Sequence, residues 1–196
     1  QNCFVRKLEM SVKEGTSLAG AGGAVGRIYS GSVVENIYAQ GSIESSFANV
    51  GGLTGNLNGR VTAGWSKVNI NSAAAYVGGI VGFLESGNQA TCTLAVGEVY
   101  TRATNHYGRI VGGYFGTEVK RYVRSYAAAR QRINSEVYEE DAMDATGLMT
   151  EEELRQKIQY EDKINLGDAF DYSVVENGFL PRLYNAEGSA LLPCQE

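Results

Sequence analysis

Val50-Gly51-Gly52-Leu53-Thr54-Gly55 is the stretch to which this sequence keeps returning. The same shape recurs at Gly22-Gly23-Ala24-Val25-Gly26, at Val77-Gly78-Gly79-Ile80-Val81-Gly82 and at Gly108-Arg109-Ile110-Val111-Gly112. Counted from Gly22, Gly51, Gly78 and Gly108, the boxes stand 29, 27 and 30 residues apart. A period in that range marks a repeat architecture, in which no unit buries its apolar face alone and stacking closes the core. Gly at a coil corner supplies φ > 0 or a close backbone approach.

Each box is followed by a second apolar run. These are Val33–Ile43, Val61–Ile70, Ala90–Val99 and, more loosely, Val119–Tyr126. The runs are short, rich in β-branched and aromatic residues, and bounded by Gly, Asn and Ser, which is strand chemistry. Two or three short strands per period predict a right-handed parallel β-helix of about four to five coils over residues 1–132. Counting from the last Gly of each box puts Cys3, Ile37, Trp65 and Cys92 in one inward column, with the two cysteines about 14 Å apart. That is too far for a disulfide, and Cys194 has no evident partner, so three free thiols are expected. No C-x-x-C pairing suggests a metal site.

Residues 133–196 read as an acidic C-terminal cap. From about residue 127 the alternation gives way to loop or coil with some helical tendency. Thr150-Glu151-Glu152-Glu153-Leu154-Arg155-Gln156-Lys157-Ile158 carries a capping box, Thr150 with Glu153, and Leu154 and Ile158 at i,i+4, which predicts a short helix over about 150–159. Residues 169–175 and 177–183 predict two short strands turning at Asn177-Gly178. The open end of a solenoid exposes strand edges, and this segment is expected to cover them.

Charge divides the same way. Residues 1–132 hold thirteen Lys/Arg against seven Glu and no Asp, +6, whereas residues 133–196 hold four against fifteen, −11. A +6 half without an aromatic-basic motif makes no nucleic-acid interface. No run reaches the roughly eighteen apolar residues of a membrane span. The opening Gln1-Asn2-Cys3-Phe4 reads as mid-repeat, so a piece of a larger protein is expected.

The boxes, with Thr146–Leu154, Phe170-Asp171-Tyr172-Ser173, Asn177–Leu183 and the closing Leu191-Leu192-Pro193, resemble the GLUG repeats of bacterial surface proteins. The combination is similar to the non-catalytic region N-terminal to the protease domain in the immunoglobulin-A protease family of Gram-positive bacteria. That resemblance implies a secreted, cell-wall-attached zinc metalloprotease as parent. It implies substrate recognition and spacing as the job of this part, with immunoglobulin A and other domains of the same protease as partners. The family's zinc motif H-E-x-x-H is not in this sequence, which holds a single His, His106. No catalytic, cofactor-binding or metal residue is therefore assigned; zinc belongs to the separate catalytic domain, and His106 is expected in an inter-coil loop.

Two alternatives stay open: an adhesin-type GLUG module without a protease, and a carbohydrate-active β-helix enzyme. The enzyme would have to draw its carboxylates from Glu35, Glu44, Glu85 and Glu98, which nothing in the sequence pairs. The stretch Arg102, Arg109, Lys120, Arg121, Arg124, Arg130 and Arg132 is a candidate positive ridge, facing an acidic partner or the acidic cap.

Overall fold

In a computed structural model, the structure describes residues 3–13, 20–46, 49–73, 75–85, 89–102, 104, 106–115, 122–134 and 146–184. The chain is a parallel β-solenoid of about three turns, rather than the four to five expected, flanked by partial coils. The first rung is β1 (Cys3–Val12). The first turn is β2 (Ala21–Gly22), β3 (Val25–Ile28) and β4 (Val33–Ser45); the second is β5 (Val50–Gly51), β6 (Thr54–Leu57) and β7 (Arg60–Ser72). The third is β8 (Val77–Gly78), β9 (Val81–Leu84), β10 (Gln89–Ala95) and β11 (Val99–Thr101). A partial coil follows: β12 (Tyr107–Gly108), β13 (Val111–Tyr114), β14 (Tyr122–Val123) and β15 (Tyr126–Ala128). Residues 126–128 thus still belong to a strand, where sequence reading expected the pattern to have broken. A further short strand, β16 (Gly147–Met149), pairs in parallel with β15.

The boxes stack in register. Gly22, Gly51, Gly78 and Gly108 are successive partners in one sheet, ordered β12-β8-β5-β2, and Val25, Thr54, Val81 and Val111 are successive partners in the next. The glycines are forced by close approach. A Cβ on Gly22, Gly51 or Gly78 would lie 2.0–2.1 Å from the carbonyl oxygen three residues on, across the corner, and none of the three has positive φ. One on Gly52 would lie 2.1 Å from both the Gly79 carbonyl oxygen and Ser66 Oγ. Ala39, Ser66 and Ala95, which face Gly23, Gly52 and Gly79 across the core, form an in-register column of small side chains, so the section is thin there.

The long strands make the main sheet, β1-β4-β7-β10-β15-β16. Inward positions such as Ile43, Ile70 and Val99 form the interior with Leu53, Ile80 and Ile110 from the box corners, all at most 2% exposed. Asn36 in β4 (φ 54°), Ala63 in β7 (52°) and Cys92 in β10 (55°) take the left-handed conformation, as does Arg124 (50°) between β14 and β15.

The expected inward column is corrected by this register. Cys3 does pair with Ile37, but the next partners are Gly64 and Thr93. Trp65 pairs with Tyr38 and Leu94 instead, and a one-residue slip moves a side chain to the other face. Cys92 occupies one of the left-handed positions, half-buried, where burial pushes its thiol up against the opposing pull of the Arg124 cation. Cys3 is exposed on the first rung; both are free thiols, and Cys194 lies outside the described residues.

The C-terminal segment adds β16 beyond β15 at the end of the main sheet, and its residues from Thr150 on lie along the outer face of that sheet. The apolar outward positions explain this: Tyr38, Trp65, Leu94, Ala128 and Met149 form a second buried cluster with Leu154, Tyr160, Ile164, Phe170, Val175 and Leu183. The capping box is present, Thr150 N donating to Glu153 Oε2 at 2.8 Å and Glu153 N to Thr150 Oγ1 at 3.1 Å. The helix it opens is only a 3₁₀ turn, Glu153–Arg155, ended by extended Gln156, before a π-helical stretch, Gln159–Ile164. Ile158 is 51% exposed and Leu154 6%, so the two share no buried face. The expected strand pair exists as antiparallel β17 (Phe170–Asp171) and β18 (Arg182–Leu183), bridged by a 3₁₀ turn, Val175–Asn177, that closes on left-handed Gly178.

Glu153 also binds Lys163 Nζ at 2.8 Å, and this hydrogen bond, above all, holds its carboxyl below the ordinary 4.5. A depressed carboxylate stabilises the fold fully above its unfolded pKa, and the effect fades as pH falls through the folded value. Glu153→Gln is therefore expected to lose about 0.5–1 kcal/mol at neutral pH. The gap to the wild type should narrow as pH falls through and below the ordinary carboxylate range, as followed by urea denaturation at neutral and at acid pH.

Candidate functional site: a cationic groove beside an aromatic ladder

Parallel in-register strands repeat each position about every 4.8 Å, close to the stacking distance of aromatic rings. The outer face of the main sheet uses this. Phe4 stacks on Tyr38 with ring centroids 5.3 Å apart, and Tyr38 stacks on Trp65 at 4.3 Å and 5°. Trp65 Nε1 donates to the Pro181 carbonyl at 2.8 Å, which ties the ladder to the C-terminal segment. Arg6 lies over the near end, its guanidinium 5.1 Å from the Phe4 ring centroid and 5.6 Å from that of Tyr38, with Nε donating to the Tyr38 hydroxyl at 2.8 Å.

A break in register places Arg6. Between Val5 and Leu8 the pairing of β1 with β4 shifts, so Arg6 and Lys7 together stand against Gln40. Such a bulge re-aims side chains, and Lys7 takes the left-handed conformation at φ 52°. Beside them Gln40 and Lys67, partners in adjacent coils, project outward from the sheet. The opposite wall comes from the C-terminal segment: Leu154, Arg155, Val174, Asn177–Leu180 and Arg182. Between the walls is a groove of about 710 Å³.

Its charge is one-sided. Six cations line it, Arg6, Lys7, Lys67, Arg130, Arg155 and Arg182, against a single lining carboxylate, Glu151. Arg130 pairs with Glu151 at 3.0 Å, and Arg182 with Asp171 at 3.6 Å. Among the described residues, Lys7, Lys67 and Arg155 have no carboxylate within ion-pair reach. The Arg155 guanidinium lies about 3.5 Å from where a Cβ on Gly178 would be, so this glycine leaves it room. Phe179, next to it, is 62% exposed. Chemically, the groove can hold an anion, donate hydrogen bonds from several directions and offer an aromatic face.

The candidate ridge is only partly assembled. Arg109 is fully buried, at the position of Gly23, Gly52 and Gly79 in the other boxes, and so leaves the surface. Lys120 and Arg121 lie outside the described residues. Arg130 meets Glu151 of the C-terminal segment, and Arg124 Nη1 donates to the Asp162 carbonyl at 3.5 Å, while Arg102 and Arg132 are exposed. Of the ridge, only Arg130 reaches the groove. The remaining groove cations come from Arg6, Lys7, Lys67, Arg155 and Arg182, which the sequence scatters over 177 positions.

His106 sits at an exposed inter-coil corner, its ring 4.7 Å from that of Tyr76. Of the four glutamates weighed for carbohydrate chemistry, Glu44 and Glu98 share a shallow groove with Glu9, Asn69 and Tyr100; Glu85 is paired with Arg27 at 2.9 Å, and Glu35 lies apart from that groove. Among the described residues, no three of His, Cys, Asp and Glu gather as a metal-holding group. Comparison with known proteins finds no matching family model, no matching curated protein and no matching solved structure.

Proposed function

We propose that this chain is a non-catalytic recognition and spacing module. On the resemblance to the immunoglobulin-A protease family, it belongs to a secreted, cell-wall-attached zinc metallopeptidase and positions the host glycoprotein immunoglobulin A for a catalytic domain elsewhere in the parent. The observation that carries the reading is the cationic groove. Its six positive side chains are mounted on the solenoid and the C-terminal segment, fixed to each other by a buried apolar cluster and the Trp65–Pro181 hydrogen bond. A stacked parallel sheet cannot adjust its ladder without breaking backbone hydrogen bonds along a rung, so such a groove is preorganised and costs little ordering on binding. The unbalanced positive charge steers an acidic partner toward it and makes capture salt-dependent. The same groove would serve an adhesin-type module; the two readings differ only in whether a protease domain is attached.

The test is retention of immunoglobulin A by the immobilised chain. Capture is expected from the wild type, falling as salt is raised, and is expected to be lost in Lys7→Glu/Lys67→Glu with its thermal midpoint unchanged. Equal capture by that double variant would remove the groove from the reading. No capture by the wild type at low salt would remove immunoglobulin A as the partner.

A further inference from the structure

The groove residues select among anionic ligands. Resting on the reading that this groove is the recognition surface, we propose that it binds a carboxylate-bearing pyranose on an oligosaccharide, a sialic or uronic acid.

The charge asks for an anion, and the geometry asks for a small one carrying hydroxyls. Arg155, with its guanidinium against Gly178, presents a planar fork suited to a carboxylate, and Lys67 and Lys7 add point charges on the facing wall. Gln40 and Asn177, one from each wall, supply amides that both donate and accept, the pairing that sugar hydroxyls need. Phe179, on the same lining, adds an exposed ring, a surface for the apolar face of a pyranose. A volume of about 710 Å³ suits a short oligosaccharide rather than a folded domain.

Competing anions fit less well. An extended acidic peptide would gain most by adding a strand to a sheet edge. The groove floor is instead the outward face of β1, β4 and β7, of which β4 and β7 pair with a neighbour on both sides, so an occupant lies across a face and not along a strand edge. A long phosphodiester would extend beyond the groove onto a C-terminal segment whose residues 133–196 sum to −11.

The experiment is calorimetric titration of the full chain with sialyllactose, trigalacturonate, lactose, inorganic phosphate and hexaglutamate. At least one acidic sugar is expected to bind, and the two sugar arms identify which acid the groove takes. Lactose should give no detectable heat. Lys67→Gln/Arg155→Gln should weaken binding about tenfold or more with the thermal midpoint unchanged. Binding undiminished in that variant, or no binding of either acidic sugar, overturns the proposal. Phosphate matching the sugar would make this a simple anion site, and hexaglutamate matching it would make the ligand an acidic peptide; either outcome also overturns it. Capture of immunoglobulin A that persists when neither acidic sugar binds would leave the recognition module standing and sink the sugar. Binding of sialyllactose without capture of immunoglobulin A would sustain the sugar site and remove immunoglobulin A as the partner.

Discussion

Gly52→Ala is expected to destabilise the chain by about 3–5 kcal/mol, at the upper end of what single substitutions do. The added methyl has nowhere to go. It would lie 2.1 Å from the Gly79 carbonyl oxygen in the next coil and 2.1 Å from Ser66 Oγ across the core. Backbone on one side and a 0% exposed side chain on the other leave no flexible end to move aside. The coils would have to separate locally, and every rung is held at the hydrogen-bonding distance of its neighbours, so relief at one corner strains the next. Gly147→Ala is the matched control: its nearest atom would be Tyr126 Cε1 at 3.4 Å, and it is expected to be neutral within about 0.5 kcal/mol. Urea melts of the two variants read the difference. A Gly52→Ala protein as stable as Gly147→Ala would mean that the boxes are not the corners described.

The fold was legible because its corners are chemical. Only glycine fits where a Cβ would lie 2.0 Å from a carbonyl oxygen, so the repeat had to appear as glycine at fixed intervals. The face of each strand was less legible, for a local reason. From box to long strand the chain passes through residues 29–32 in the first turn but only Asn58-Gly59 in the second. Counting from the box therefore runs two residues out, and the column that sets Ile37, eleven past Gly26, against Trp65, ten past Gly55, ends one residue off: the partner of Trp65 is Tyr38, twelve past Gly26. Strand alternation would have exposed the slip had Lys67 and Asn69 been used as outward markers, since both lie outward with Trp65.

The candidate site was legible in its parts and not in its assembly. The run of basic residues before position 133 attracted attention because it is contiguous, yet Arg109 went inside and Arg130 found Glu151. The groove cations come from the first rung, the second turn, the turn after β15 and the C-terminal segment. Only the bulge at Arg6-Lys7 and the docking of the C-terminal segment bring them together, and neither has a sequence signature of its own. β16 of the C-terminal segment does extend the end of the sheet, whereas for residues 150–184 the apolar face is evident in the sequence and its destination is not. What decides the destination is the outward column Tyr38, Trp65, Leu94, apolar on a face that would otherwise meet water.

Trp65→Ala tests that destination. The side chain is 3% exposed, stacked at 4.3 Å on Tyr38 and bonded to the Pro181 carbonyl, so its removal is expected to cost about 3–5 kcal/mol. The size alone would not separate a Trp inside the solenoid from one outside it; the pattern of loss does. With Trp65 on the outer face, the solenoid interior of Ile43, Ile70, Val99 and Leu53 keeps its contacts, and the cost falls on the docking of the C-terminal segment. Hydrogen exchange should therefore quicken through residues 150–184 and change little in β5, β6, β8 and β9. Trp65→Phe, which keeps an aromatic stack and loses the hydrogen bond to Pro181, should cost about 1 kcal/mol from that bond, plus the smaller ring's lost contact. Loss of protection spread through the box strands, with residues 150–184 unaffected, would put Trp65 back inside the coil. It would also unmake the groove, because the wall carrying Arg155, Asn177 and Phe179 stands only while the C-terminal segment is docked on this ladder.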